Sequence, residues 1–219
     1  MTGVSRLDPE APSQPIDLST IGGEHYGIAR DHSGEGIYFG LKPEWVSSIA
    51  ERREATLQPD HYNMKSSMEW IRTGVRDQLP TVPDSPMGPN HLTVVHTLSH
   101  LLIRELCEVS GYSLGSIRER LYLHHDESGT LTRAGVFLYT SGPSSEGTLG
   151  GLARQGTADL VEHIIERAMS AIKDCSNDPV CMDHKPTGEE RNGAACHACL
   201  YLPETSCELG NLFLDRRWQ

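Results

Sequence analysis

Cys175-Ser-Asn-Asp-Pro-Val-Cys181, then Gly193-Ala-Ala-Cys196-His-Ala-Cys199, then Glu204-Thr-Ser-Cys207: these three segments hold five of the six cysteines in the chain. The order is C-x5-C, a gap of fourteen residues, C-x2-C, seven residues and a last cysteine. The sixth, Cys107, lies far upstream in a helix-like run. Two thiolates three positions apart bind one ion from a single tight turn, and a second pair from elsewhere closes a tetrahedron around it. Tetrahedral zinc takes four ligands. Four of Cys175, Cys181, Cys196, Cys199 and Cys207 are therefore expected to bind one Zn2+, with one cysteine spare. His184 and His197 are further candidate ligands. A shell closed by four protein ligands is structural rather than catalytic.

Other uses of the thiols fit less well. The opening Met1-Thr-Gly-Val-Ser-Arg-Leu has no apolar signal core, which points to a reducing, cytoplasmic setting where stable disulfides are rare. A redox C-x-x-C sits where a strand meets a helix and needs no further cysteines nearby. An iron–sulfur cluster is compatible with four cysteines, but the tight C-x2-C-x2-C run is missing.

Upstream of the cysteines, Thr157 starts a helix through Leu160, Val161, Ile164, Ile165, Ala168, Met169 and Ile172 that delivers Cys175 to the metal site. A longer helix is expected from His91 to Val109. Leu92, Val95, Leu98, Leu102 and Leu106 recur at spacings of three and four, and Leu101 and Ile103 widen the apolar face, as in a buried central helix. Gly111 stops it. Ser113 then caps a shorter helix through Ile117 and Leu121, which runs into a strand at Leu121-Tyr122-Leu123. Ala134 to Tyr139 is a buried strand forming a hairpin with it.

Nearer the N-terminus, Ile37-Tyr38-Phe39 is a short strand between glycines, and Pro43 opens a helix through Trp45, Val46, Ile49 and Ala50. Trp70, Ile71 and Val75 suit another helix. The proline-rich run from Leu79 to Pro89 is a linker. The expected division is a flexible arm at 1–20, an N-terminal segment at 21–90 and a zinc-binding domain at 91–219. The fold class is α+β and helix-rich, with a small strand hairpin and a loop-rich C-terminal zinc lobe.

Charge and composition exclude several functions. A net charge of -11 over 219 residues makes a poor autonomous DNA binder, because phosphate contacts need clustered Lys and Arg. Arg216-Arg217 is the local basic spot. No apolar run reaches the length of a membrane span. His96-Thr-Leu-Ser-His100 sets two imidazoles one helical turn apart, a spacing that can hold zinc, but Thr97 stands where a metalloprotease keeps its Glu base. A pair of surface or hydrogen-bonded core histidines is the plainer expectation. Glu146-Gly-Thr-Leu-Gly-Gly151 sits between a strand and a helix, where backbone N–H groups can cradle a phosphate. It lacks a Walker ending, and a tight turn is the plainer expectation. No ATPase, nuclease or protease motif is present, so no catalytic residue is assigned. The competing possibility is metal-dependent hydrolysis of nucleic acid using His96, His100 and Glu146.

Together these pieces resemble the MrfA-type zinc-binding domain of superfamily 2 helicases and the DrmB family of DISARM antiphage systems. The resemblance rests on His96-Thr-Leu-Ser-His100, Gly111-Tyr112-Ser113, Arg118-Glu119-Arg120-Leu121-Tyr122, Tyr139-Thr140 and Glu146 to Gly151. It continues through the cysteine segments, Glu208, Asn211 and Leu214-Asp215-Arg216, and Gly34-Glu35-Gly36-Ile37 resembles the DrmB stretch upstream. It implies a zinc-stabilised accessory subunit that works with a DrmA-like superfamily 2 helicase and reaches DNA through the complex. This chain is shorter than DrmB and has no helicase core, so it would act through its partner.

Overall fold

The computed structural model describes residues 3–4, 14–15, 20–21, 24–25, 34–56, 88–140, 151–184 and 192–218. The chain divides into two compact units, Met1–His32 and Ser33–Gln219. In the first, β1 (Gly3–Val4) pairs antiparallel with β2 (Gln14–Pro15), and β3 (Thr20–Ile21) pairs antiparallel with β4 (Glu24–His25).

The second unit begins with β5 (Gly36–Leu41) and α1 (Pro43–Thr56). Proline at the first helical position is pre-set in φ and needs no N–H there. Next comes α2 (Gly88–Ser110), which takes the last two residues of the proline-rich run, Gly88 and Pro89, as its first turn. The rest of that run, like Trp70, Ile71 and Val75, lies outside the described residues. Every residue from Asn90 to Ile103 is buried, so this stretch of α2 is enclosed on all sides. It packs against α1 and against the strands β6 (Ile117–His125) and β7 (Leu131–Thr140). It also meets α3 (Gly151–Gln155) and α4 (Ala158–Ala171). Each buried Leu of α2 contributes about 1.5–3 kcal/mol through removal from water. Gly111, at φ 79°, ends the helix in the left-handed region that glycine enters freely.

The expected short helix after Ser113 does not form. Ser116 N donates to Ser113 O in a tight turn, and the chain is extended from Ile117. The reason is period. Ile117, Glu119, Leu121, Leu123 and His125 alternate strictly inward with exposed residues between them, which a strand satisfies and a helix does not.

The antiparallel sheet has the order β5-β7-β6. Gly36 pairs with Tyr139 and Leu41 with Ala134, while Ile117 pairs with Thr140 and Leu123 with Ala134. Its inner face, with Ile37, Phe39, Ile117, Leu121, Val136 and Leu138, belongs to the core. Tyr38 and Tyr122 stand on the opposite face, edge to face at 6.0 Å. The architecture is thus α+β, with four helices and a three-stranded sheet among the described residues and the cysteines in the loops after α4. Among those residues no helix is long and apolar enough to cross a membrane.

Candidate metal centre

The segment after α4 turns sharply around Asp178. Cys175 N donates to Asp178 Oδ2 at 3.1 Å and Met182 N to Oδ1 at 3.1 Å. Asp178 N donates to Cys175 O, and Cys181 N to Asn177 O. The C-x2-C segment turns around one carbonyl: Cys199, Leu200 and Tyr201 all donate their N–H to Cys196 O, at 3.2, 2.9 and 3.0 Å. Arg104 of α2 supports this turn from outside, donating to Ala198 O at 3.0 Å.

These two turns bring Cys175, Cys181, Cys196 and Cys199 together, with their sulfurs all within 4.8 Å of one another. Cys175 and Cys196 are 3.5 Å apart, and Cys181–Cys199 and Cys196–Cys199 are each 3.7 Å apart. All four are free cysteines. Zn–S bonds of about 2.3 Å give a tetrahedral edge of about 3.8 Å, so the donor set fits a zinc ion. Burial pushes the Cys181 thiol up to about 11. At Cys196 burial also raises it, but the Ala198 N–H and the Cys175 thiol outweigh burial and bring it down to about 7. Four crowded thiolates repel one another unless a cation sits among them, which is the chemistry of a metal centre.

The residues after the last cysteine clamp both turns. The Arg216 guanidinium is wholly buried. It pairs with Asp178 and donates to Ile172 O at 3.4 Å and Lys173 O at 3.2 Å, satisfying carbonyls at the end of α4. Asp215 accepts from Ala194 N at 3.0 Å beside the second turn, and its own N–H donates to Thr97 Oγ1 of α2 at 3.0 Å. Arg217 is tied to the same Asp215 carboxylate and to His184 O. The Arg216-Arg217 basic spot expected from sequence is therefore spent inside the fold. Both guanidinium groups hold protein oxygens instead of facing a phosphate.

The fifth cysteine of the segment stands elsewhere. Cys207 is grouped with His96, His100 and Glu119, the donor atoms again within 4.8 Å of one another and all four residues buried. His96 Nε2 is 3.2 Å from Cys207 Sγ and 3.0 Å from Glu119 Oε1. His100 Nε2 is 3.5 Å from the same carboxylate oxygen. Burial raises the Glu119 carboxyl, but His96 and His100 beside it hold it well below the usual range. Burial likewise raises Cys207, and His96 brings it down to about 7. Glu119 escapes the sequence reading because the Arg118-Glu119-Arg120 run also fits a helix there. The alternation around it was the signal that it points inward.

Full burial also removes His96 and His100 from the reach of a nucleic-acid phosphate, and Glu146, their expected partner in hydrolysis, lies outside the described residues. His184 and His197 join neither cluster, and the His197 ring is exposed against Tyr201. At the start of α3, just beyond the Glu146–Gly151 loop, Glu35 accepts from Leu152 N at 3.0 Å and Ala153 N at 2.9 Å. A protein carboxylate thus takes the N–H groups at that helix start.

Residues 98–200 match the family model of the MrfA Zn-binding domain. The chain is also similar to the DISARM protein DrmB of Bacillus paralicheniformis, with 35% identity over 215 residues. That match covers 95% of this chain and 35% of the relative, so the chain spans about a third of DrmB's length. The matched segment contains all four clustered cysteines, so this part of the chain is similar to an MrfA-type zinc-binding domain, and its four thiol donors suit Zn2+.

Proposed function

We propose that Cys175, Cys181, Cys196 and Cys199 hold a structural zinc ion, and that the chain serves as an accessory subunit of a helicase-containing, DNA-processing antiphage system of the DISARM kind, in the cytoplasm. The similarity to DrmB along 95% of the chain is the observation that carries the reading. The geometry of the four cysteines supports the zinc assignment: four thiolates close the coordination shell and keep no position for a reacting water. Zinc there contributes folding free energy, fastening the two cysteine turns to each other and, through Arg216, to the end of α4. The adaptor role follows from the chemistry of the chain. Its charge of -11 and its internally paired arginines suit contact with a protein partner better than direct capture of DNA.

Affinity purification of the tagged chain from its native host, followed by mass spectrometry, tests the reading. A co-purifying superfamily 2 helicase is the expected result. Recovery of zinc-replete chain with no helicase would overturn the adaptor role and leave the zinc assignment standing.

A further inference from the structure

We propose that His96, His100, Glu119 and Cys207 form a second metal site, separate from the four-cysteine centre and suited to a zinc-like divalent cation. It shares no ligand with the first, and two of its residues, His96 and Cys207, fall outside the segment matched by the family model.

The four donors come from three parts of the fold: α2 supplies the imidazoles, β6 the carboxylate and the C-terminal loop the thiol. His96 and His100 are 0% exposed, Glu119 3% and Cys207 9%. The separations of 3.0, 3.2 and 3.5 Å compare with about 3.3–3.7 Å between ligands around zinc at its usual bond lengths.

Hydrogen bonds around the cluster orient three of the four donors, His100, Cys207 and Glu119. His100 Nδ1–H donates to Leu200 O at 2.8 Å, so in the neutral ring the lone pair is on Nε2. That nitrogen has no hydrogen-bond partner among the described residues, yet it faces Glu119 Oε1. Two acceptors turned toward each other need a proton or a metal cation between them, and the 3.5 Å separation is long for a hydrogen bond and suits two ligands of one ion. Cys207 Sγ accepts from Leu209 N at 3.4 Å and Asn211 N at 3.1 Å, the pattern of backbone N–H groups supporting a thiolate. Asn211 holds φ 62° to aim its N–H there, a conformation asparagine tolerates better than most residues. Glu119 is oriented by Ser99 Oγ–H and by Glu208 N at 3.0 Å.

Charge leads to the same place. As metal ligands the two imidazoles would be neutral, and with a carboxylate and a thiolate they would carry two negative charges into the core, which a divalent cation balances. Mixed nitrogen, oxygen and sulfur donors suit a borderline cation, and four protein ligands make the site structural. The ion would staple α2, β6 and the C-terminal loop, joining residues 111 positions apart in sequence.

The test uses the full chain, loaded with zinc and freed of loosely bound metal. Inductively coupled plasma mass spectrometry gives the stoichiometry, and zinc-edge X-ray absorption gives the ligand atoms. The proposal expects two zinc ions per chain, with nitrogen and oxygen in the shell and between two and three sulfurs per ion on average. One zinc per chain with a pure four-sulfur shell overturns it and identifies the second cluster as a proton-linked ion-pair network. Two ions with no four-sulfur component would instead contradict the four-cysteine assignment. In Cys207→Ala the shell is expected to move toward four sulfurs as the stoichiometry falls toward one. Two ions with an unchanged sulfur average in that variant would overturn the proposal, and the unsubstituted chain decides if the variant does not fold.

Discussion

Cys196 is where the four-cysteine centre is most vulnerable, because its carbonyl gathers three N–H groups and its sulfur sits within 3.7 Å of Cys175 and Cys199. Cys196→Ser is expected to lose the zinc of that centre and to make residues 175–216 readily cleaved by protease, measured by metal analysis and limited proteolysis side by side. His91 offers a separate test at the residue scale. Its Nδ1 is 2.9 Å from His125 Nε2, and burial first, then the neighbouring imidazole, lowers its pKa from 6.5 to about 4. Between those values the unfolded chain takes up a proton that the folded chain refuses, so this group costs stability as pH falls and nothing above 6.5. Relative to His91→Gln, the wild type should lose about 2 kcal/mol more between pH 6.5 and 4 after allowance for solvent screening, read from denaturant midpoints at each pH. The cysteines were legible because ligand spacing is local. Which thiol stands apart was not, because Cys207 is placed by contacts with His96 and Glu119 from distant segments. Arg216 was misjudged for the same reason, since nothing local announces that its partners are Asp178 and the end of α4.

At the scale of elements, the fold depends on how β5 and α3 are fastened to the rest. A Cβ on Gly36 would meet the Phe137 ring and the Leu138 backbone oxygen across the β5–β7 pair. Gly36→Ala should therefore cost about 1–3 kcal/mol by thermal or chemical unfolding. Glu35, next to it, accepts from Tyr112 Oη–H at 2.6 Å and from the first N–H groups of α3. Glu35→Ala strips those donors of their acceptor and should cost about 2–3 kcal/mol. Long apolar periodicity made α2 and α4 legible, and glycine and proline marked β5 and α1. The turn at Ser113–Ser116 was harder, because Ile117 and Leu121 are four apart and fit a helical stripe as well as a strand. Pairing with β7 decides between them.

At the scale of the whole molecule, the C-terminal loops do more than bring the cysteines together. Glu119 N donates to Ser206 O, and Leu121 N to Glu208 Oε2, so residues 206–208 cover the free edge of β6. The same stretch of chain then reaches the two cysteine turns through Asp215 and Arg216. Zinc loss should therefore spread beyond its ligands. Amide hydrogen exchange on the zinc-loaded chain, before and after chelation, tests this directly. The informative amides are Gly193 and Arg216, which donate to Leu214 O and Ala194 O. The account predicts that chelation opens both to exchange, with Glu119 and Leu121 at the sheet edge following, while the centre of α2 stays protected longest. Unchanged protection at Gly193 and Arg216 in the metal-free chain would contradict a structural zinc.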